Sequence, residues 1–364
     1  MKQGLSSAKP FAYLFGINMA NLKEVAELAG VSIATASMAL RGGGNLREST
    51  RIRVRHCAKR LNYTPNQIGR TLNTGKANAI ALLMMTSVSS ADIVRGTSLF
   101  YQLVRGVLSV VDEAKHGLRL DVKSHEDPDL LQYFEQVVGG RSLDGIIIVP
   151  QFVRDYAFLH TLKKNNFPYV LMRPASFGRD INYVDLRSDY GAQLVAELFA
   201  KQGRRQVAMI NGPALHLDAI EREKGFMEGL AGAGLDRLTK RYGDFTIPSG
   251  IAAMKDILQE FRPDAVFCSN DYMAAGAMKV LAESKLRVPE DVVIVGYDNT
   301  DICIGLTPTL TTVDYRAEEV GRCLAEELLA LIEGKVSSIQ KAIRPFLVER
   351  ESHGPNGMLD VKSS

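Results

Sequence analysis

Between Leu22 and Leu61 the apolar positions recur at helical spacing in three short runs. Leu22, Val25, Leu28 and Ala29 fall on one face of a helix, with Asn21 placed to cap its start and Gly30 to stop it. After a turn at Val31–Ser32, residues 33–40 read as a second helix with Ser32 as N-cap. The run Gly42–Gly44 breaks the chain, and residues 48–61 read as a third helix with Ile52, Val54, Ala58 and Leu61 as its apolar positions. Helix, tight glycine-containing turn and helix form a helix-turn-helix pattern, and the third helix completes a small core. The segment Asn62-Tyr63-Thr64-Pro65-Asn66 ends this unit. Residues 67–73 are compatible with a short helix, and Thr74-Gly75-Lys76 reads as linker.

From Ala79 onward the pattern changes. Apolar runs of strand length at 79–85, 119–123, 145–149, 169–172, 206–211, 265–268 and 292–296 alternate with helical patterns at 102–113, 190–201, 220–231, 271–283 and 317–333. Near-continuous apolar strands alternating with helices indicate parallel sheets covered on both faces. The number of such units over this length predicts an α/β core of two doubly wound, mainly parallel-sheet lobes. In such folds ligands bind beyond the carboxyl ends of the strands. No internal sequence repeat stands out.

A chain of 364 residues exceeds the roughly 100–200 residues of one domain, which agrees with this division. Its four cysteines, Cys57, Cys268, Cys303 and Cys323, are scattered. They suggest neither a zinc site nor a disulfide framework and fit a reducing cytoplasm. The apolar stretch Phe11–Ile17 is far too short to span a bilayer. Residues 1–18 read as an extension before Met19, where translation is expected to begin; a short ordered arm is the alternative. Charge divides unevenly. From Ala20 to Asn78 ten Lys/Arg face three acidic residues, a net of +7 within a chain total of +3. Residues 1–19 add two lysines, which leaves −6 for the remainder. A basic helical module on an acidic body is the footprint of phosphate-backbone binding.

A recognition helix presents the side chains of its first turns to the major groove. In the second helix these are Ile33, Ala34, Thr35, Ser37 and Met38. Thr35 and Ser37 offer hydrogen bonds to bases or phosphates, whereas Ile33, Ala34 and Met38 offer only apolar contact, for example to thymine methyl groups. The competing reading buries Ile33 and Met38 in the three-helix core. Arg222, Asn270, Asp271, Asp298 and Asn299 all follow predicted strands. Arg, Asn and Asp together suit a polyhydroxylated or carboxylated ligand. Both Asp271 and Asp298 also sit where a carboxylate could cap a helix; capping is favoured for Asp271 and left open for Asp298. Phosphate-loop, nucleophile-elbow and metalloprotease motifs are absent. Gly229–Gly234 reads as a helix end and not a dinucleotide loop, so no enzyme is expected.

VAELAGVSIATASMALRG resembles the headpiece of the lac/gal repressor family, whose pattern runs VA-x-x-AGVS-x-x-T-x-S. LNYTPN and the segment after it resemble that family's junction and hinge helix. GRRQVAMINGP, EREKGF, SNDYMAAGAM, VPEDVVIVGYDN and LTTVD stand at the family's places and in its order, so the resemblance covers about Asn21 to Arg350. It implies a periplasmic-binding-protein-like core in a homodimer that binds double-stranded operator DNA. The lobes would hold a small-molecule effector, a carbohydrate in most of the family, with no cofactor and no membrane. Tyr63 and Asn66 match backbone-contacting positions, and Leu72 matches the leucine wedged into the minor groove. Arg222, Asn270 and Asp298 match effector contacts, Phe245 an aromatic platform, and Ser87 and Tyr101 weaker first-lobe positions. Arg173 falls in a poorly matching loop. Two departures stand out: Met38 occupies a place usually held by arginine, and Gly69 one often held by alanine. Met38 cannot make the bidentate guanine contact, so a different operator is expected. The expected boundaries are 1–18 for the extension, 19–64 for the DNA-binding domain and 65–78 for hinge and linker. Residues 79–350 would form the effector-binding and dimerisation domain, and 351–364 a polar tail. A cytoplasmic repressor follows as the expectation, and a periplasmic-type sugar-binding protein is the alternative.

Overall fold

A computed structural model of the chain describes residues 20–41, 43, 45–63, 76–86, 98–152, 157–172, 180–235 and 237–354. The expected hinge helix, the extension before Met19 and the residues after 354 lie outside these. The chain divides into two compact units between Ala77 and Asn78.

The first unit holds α1 (Leu22–Ala29), α2 (Ile33–Arg41) and α3 (Glu48–Arg60). Its start is fixed locally. The Asn21 side chain accepts from Glu24 N at 3.0 Å while the Glu24 carboxylate accepts from Asn21 N at 3.1 Å, a capping box that satisfies two otherwise unpaired amides. Gly30 ends α1 in the left-handed region at φ 62°, where a side chain would be strained. Ser32 Oγ accepts from Thr35 N at 3.1 Å and so caps α2. Small residues let the helices approach: Val25, Ala26, Ala29, Ala36, Ala39, Val54, Cys57 and Ala58 form the core. The expected apolar faces need two corrections. Leu28 and Ile52 are exposed, Ile52 at 60%, because Ala26 and Cys57 take the inward positions instead.

The second unit contains two six-stranded sheets. The first has the order β11-β5-β4-β3-β1-β2, from β1 (Ala79–Thr86), β2 (Gly117–Ser124), β3 (Gly145–Pro150), β4 (Tyr169–Met172), β5 (Tyr183–Asp185) and β11 (Gln340–Ala342). The second has the order β12-β10-β9-β8-β6-β7, from β6 (Val207–Asn211), β7 (Leu238–Tyr242), β8 (Ala265–Cys268), β9 (Val293–Tyr297), β10 (Thr311–Asp314) and β12 (Phe346–Val348). Neighbouring strands are parallel except β10 and β12. Helices cover both faces, and the period-two alternation of strands shows in the packing. Ile80, Leu82 and Met84 of β1 join the cluster with Leu103, Val107 and Val111 of α4 (Ser98–Glu113) and Val320, Leu324 and Leu328 of α12 (Ala317–Ile332). Ala81, Leu83 and Met85 face Phe134 of α5 (Leu130–Gly139) and Phe158 of α6 (Phe158–Lys164).

The second sheet is covered by α7 (Ser188–Lys201), α8 (Leu217–Gly232), α9 (Ile247–Glu260) and α10 (Asp271–Glu283), with the short α11 (Ile302–Gly305) beside them. Gly225 sets how closely α8 approaches α7, since a Cβ there would lie 1.8 Å from the Asp189 carbonyl oxygen. The chain passes between the sheets at β5 to α7, β10 to α12 and β11 to β12. The first two passages repeat one device. In Val184-Asp185-Leu186-Arg187 and Val313-Asp314-Tyr315-Arg316 the aspartate accepts from the amide two residues on, at 2.9 and 2.6 Å. The arginine then stands in the left-handed region, at φ 48° and 63°, directly before a helix. This short repeat is too degenerate to be seen without the fold.

The expected polar tail begins later than Glu351. Ser352 and His353 are buried, with Ser352 Oγ donating to Ile294 O at 2.6 Å and accepting from Thr311 N at 2.9 Å. Their polar atoms serve strand backbone, which is why a polar sequence is held inside. Among the described residues no helix is long and apolar enough to cross a membrane, and no cluster of His, Cys, Asp and Glu could hold a metal.

Candidate DNA-binding face and effector cleft

In the first unit α2 packs through Ala36 and Ala39, both fully buried. The opposite face is turned out: Ile33 is 50% and Met38 38% exposed, Ala34 is exposed, and Thr35 and Ser37 are half-buried. The competing core reading of Ile33 and Met38 is therefore corrected, because the alanines already fill the contact with α1 and α3. Basic residues Arg47, Arg53, Arg55, Lys59 and Arg60 are exposed on and beside α3. Tyr63 is half-buried against the helical core, and its amide donates to Ala58 O at 2.8 Å. Asn66 and Leu72 lie outside the described residues.

In the second unit the carboxyl ends of β6, β8 and β9 converge on Arg222 of α8, which is only 2% exposed. One guanidinium nitrogen donates to Asp298 Oδ1 at 2.9 Å and another to the Ser269 carbonyl; Asp218 lies at 3.7 Å. The guanidinium lies over the Tyr297 ring, 3.7 Å from its centroid, a cation–π contact in a dry site. Among the described residues the buried Arg222 Nε has no hydrogen-bond partner. Asp298 adopts φ 109°, the kind of strained backbone that clusters at binding sites. Burial pushes its carboxyl up to about 7, against the pull of Arg222; the nearby Asp271 pushes the same way as burial. Of its two open readings, Asp298 takes the pairing with Arg222 and caps no helix.

Asn270, not Asp271, caps α10, its side chain accepting from Met273 N at 2.9 Å and donating to Phe245 O at 2.9 Å. The capping expectation for Asp271 is thus corrected. That carboxylate is fully buried and accepts from Thr300 N at 2.7 Å, Thr300 Oγ1 at 3.0 Å and Thr312 Oγ1 at 2.5 Å. It thereby braces the loop that carries Asp298. Asn299, in the left-handed region at φ 54°, donates to Asp314 Oδ2 at 2.9 Å and accepts from Arg350 at 2.7 Å. Phe245, also left-handed at φ 68°, lies so close over Gly212 that a Cβ there would fall 2.1 Å from its ring.

Three rings absent from the sequence reading extend this site. His216, N-cap of α8, meets Phe245 edge-on at 4.9 Å and Phe152 at 5.1 Å, and Phe152 stacks on His125 at 4.8 Å. Phe152 and His125 follow β3 and β2 of the first sheet, so this ring series joins the two lobes. The Phe152–His216 bridge and the Leu217 N to Gln151 O bond, 2.9 Å, lie at the same junction. Their signal in the sequence was position, each ring falling within a few residues after a strand. Tyr101 is not brought into this group. It is 65% exposed on α4, with Arg105 over its ring at 5.9 Å. Ser87 and Arg173 lie outside the described residues.

Residues 21–66 match the model of bacterial regulatory proteins of the lacI family, and residues 196–353 match the periplasmic binding protein-like domain. The HTH-type transcriptional regulator CelR of Thermobifida fusca is 32% identical over 344 residues, 91% of this chain and 97% of its own. The chain belongs to the lacI family. As a lacI-family protein it is a DNA-binding transcriptional regulator, and the alternative of a periplasmic-type sugar-binding protein falls with the match at residues 21–66. Two solved lacI-family structures are similar throughout. The lac repressor dimer bound to operator and the anti-inducer ONPF matches with a TM-score of 0.83 at 25% identity, covering 93% of this chain and 100% of that one. The CelR–cellobiose complex matches with a TM-score of 0.69 at 29% identity, covering 92% and 99%.

Proposed function

We propose that this chain is a repressor that binds palindromic operator DNA as a homodimer in the cytoplasm, and whose operator affinity is set by a sugar held between the lobes. The observation that carries the effector reading is the buried Arg222–Asp298 pair at the strand ends, beside the partly exposed Phe245 and Phe152 rings. A fixed guanidinium and carboxyl recognise hydroxyl groups, and aromatic faces cover the apolar faces of a sugar ring. CelR, solved with cellobiose, supports the same ligand class. In this reading Arg222, Asn270, Asp298 and Phe245 bind the effector, with Ser87 as an outer contact. Ile33, Ala34, Thr35, Ser37 and Met38 enter the major groove. Tyr63, Asn66 and Leu72 serve the backbone and hinge. The function needs no catalysis.

The test is to capture genomic fragments on the purified chain, sequence those retained, and repeat with cellobiose, ribose and a panel of sugars and sugar phosphates. Discrete palindromic sites whose occupancy changes with one compound are expected. Sites indifferent to every compound would refute the sugar-effector half, and retention without site preference would refute the DNA half.

A further inference from the structure

We propose that α2 reads its half-site through thymine C5-methyl groups, with Ile33, Ala34 and Met38 as the specificity-determining side chains. The proposal rests on α2 being the recognition helix and names the base chemistry it takes.

The major groove offers hydrogen-bonding edges on every base pair but only one apolar group, the thymine methyl. Reading guanine by a bidentate contact needs Arg or Lys, and reading adenine needs Asn or Gln. Between Ile33 and Leu40 the helix has no charged and no amide residue, and its one cation, Arg41, stands at the last position, two turns beyond the first turn that faces the bases. Its Thr35 hydroxyl is engaged within the protein. Thr35 Oγ1 and Ser32 Oγ are hydrogen-bonded at 2.8 Å, Ser32 Oγ also takes the Thr35 amide, and Ser37 has an interaction of its own. What stands out from this face is apolar. Ile33 and Ala34 lie in the first turn and Met38 one turn further, opposite the buried Ala36 and Ala39. Ala34, the shortest of the three, lets the helix backbone come close to the bases between the two longer side chains. The exposed cations of α3 supply attraction to phosphates, which carries no sequence information. Discrimination in the major groove is therefore left to the apolar face of α2.

The experiment selects sites for the full chain from a random duplex library, then replaces single thymines by deoxyuridine, which removes only the methyl group. The expected site is a palindrome with T·A or A·T pairs opposite α2. Each substitution there should weaken binding about fourfold, the value of one buried methyl, and substitutions elsewhere should have no effect. Met38→Arg, at an exposed position that the fold does not need, should select guanine opposite residue 38 and lose the deoxyuridine penalty there. Enriched sites with guanine opposite α2 of the unchanged chain, or deoxyuridine effects below 1.5-fold, would overturn the methyl reading while leaving DNA recognition in place. Failure to enrich any site would overturn the recognition-helix reading beneath it.

Discussion

Replacing Arg222 with methionine keeps most of the side-chain volume and deletes the charge. Asp298 is then left in a buried site with its guanidinium partner at 2.9 Å removed, and the cation–π contact with Tyr297 is lost with it. Breaking a buried ion pair from one side costs roughly 3–5 kcal/mol, because the remaining charge stays out of water uncompensated. The cost should depend on pH in a defined sense. Burial already raises the Asp298 carboxyl to about 7, and Arg222 is what holds it down, so in the variant it rises further. A carboxyl whose folded pKa lies above its unfolded value takes up a proton on folding. Its contribution to stability therefore grows as pH falls through the folded pKa and levels off below the unfolded one, about 3.9. Arg222→Met should accordingly cost more at pH 8.5 than at pH 6. The double change Arg222→Met with Asp298→Leu, which removes both charges, should recover most of the loss. The chain has no tryptophan, so urea unfolding would be followed by far-UV circular dichroism. A single-variant cost below about 1 kcal/mol, or one equal at both pH values, would mean that Asp298 is solvated and the buried-pair argument is wrong.

Gly225→Ala places a Cβ 1.8 Å from the Asp189 carbonyl, backbone that cannot step aside, and should lower the urea midpoint by the equivalent of about 1–3 kcal/mol; an unchanged midpoint would show that α7 and α8 can separate freely. Asn299→Gly keeps the left-handed backbone but loses the bonds to Asp314 and Arg350, so a loss of about 1–3 kcal/mol is expected. Asn299→Ala should cost about 1 kcal/mol more, since alanine is strained at φ 54°; equal losses would remove the strain argument. Leu72→Ala should weaken binding to a selected operator far more than to random DNA, because a minor-groove wedge forms only on the bent site; equal losses by gel shift would end that assignment.

What was legible in the sequence follows from where burial is one-sided and where it is complete. The strands at 79–86, 145–150 and 265–268 announce themselves because helices cover both sheet faces, leaving uninterrupted apolar runs. The short or edge strands β5, β7, β11 and β12 do not. LTKRY and QKA lie at sheet margins where polar side chains reach water, and only the tertiary ladder makes them strands. The helix α9 carried its signals, a Thr246 cap, Pro248 and an apolar stripe through Met254 and Ile257, yet it is missing from the expected elements. In the site, Arg222, Asn270 and Asp298 were legible by their place after strands. The cap of α10 falls on Asn270 and not on the expected Asp271, because which of two adjacent polar residues caps a helix depends on where Thr300 and Thr312 arrive from thirty to forty residues away. The ring series from His125 to Phe245 joins four separate segments and has no local pattern to betray it.

The same long-range contacts relate the cleft to the passages between the sheets. Asp298 meets Arg222, its neighbour Asn299 donates to Asp314, and Asp314 accepts the Arg316 amide where the chain leaves β10 for α12. Two hydrogen bonds therefore separate a cleft carboxyl from the peptide that redirects the chain into the other lobe. A ligand moves an equilibrium only by the difference in its affinity for the two states. Here that difference has a physical source. The Arg222 guanidinium already donates to both the Asp298 carboxyl and the Ser269 carbonyl, so under the proposed effector role a hydroxyl group entering between Arg222 and Asp298 would gain only where the loop from Asp298 to Thr300 shifts to admit it. That loop is braced by Asp271 on one side and by Asn299 on the other.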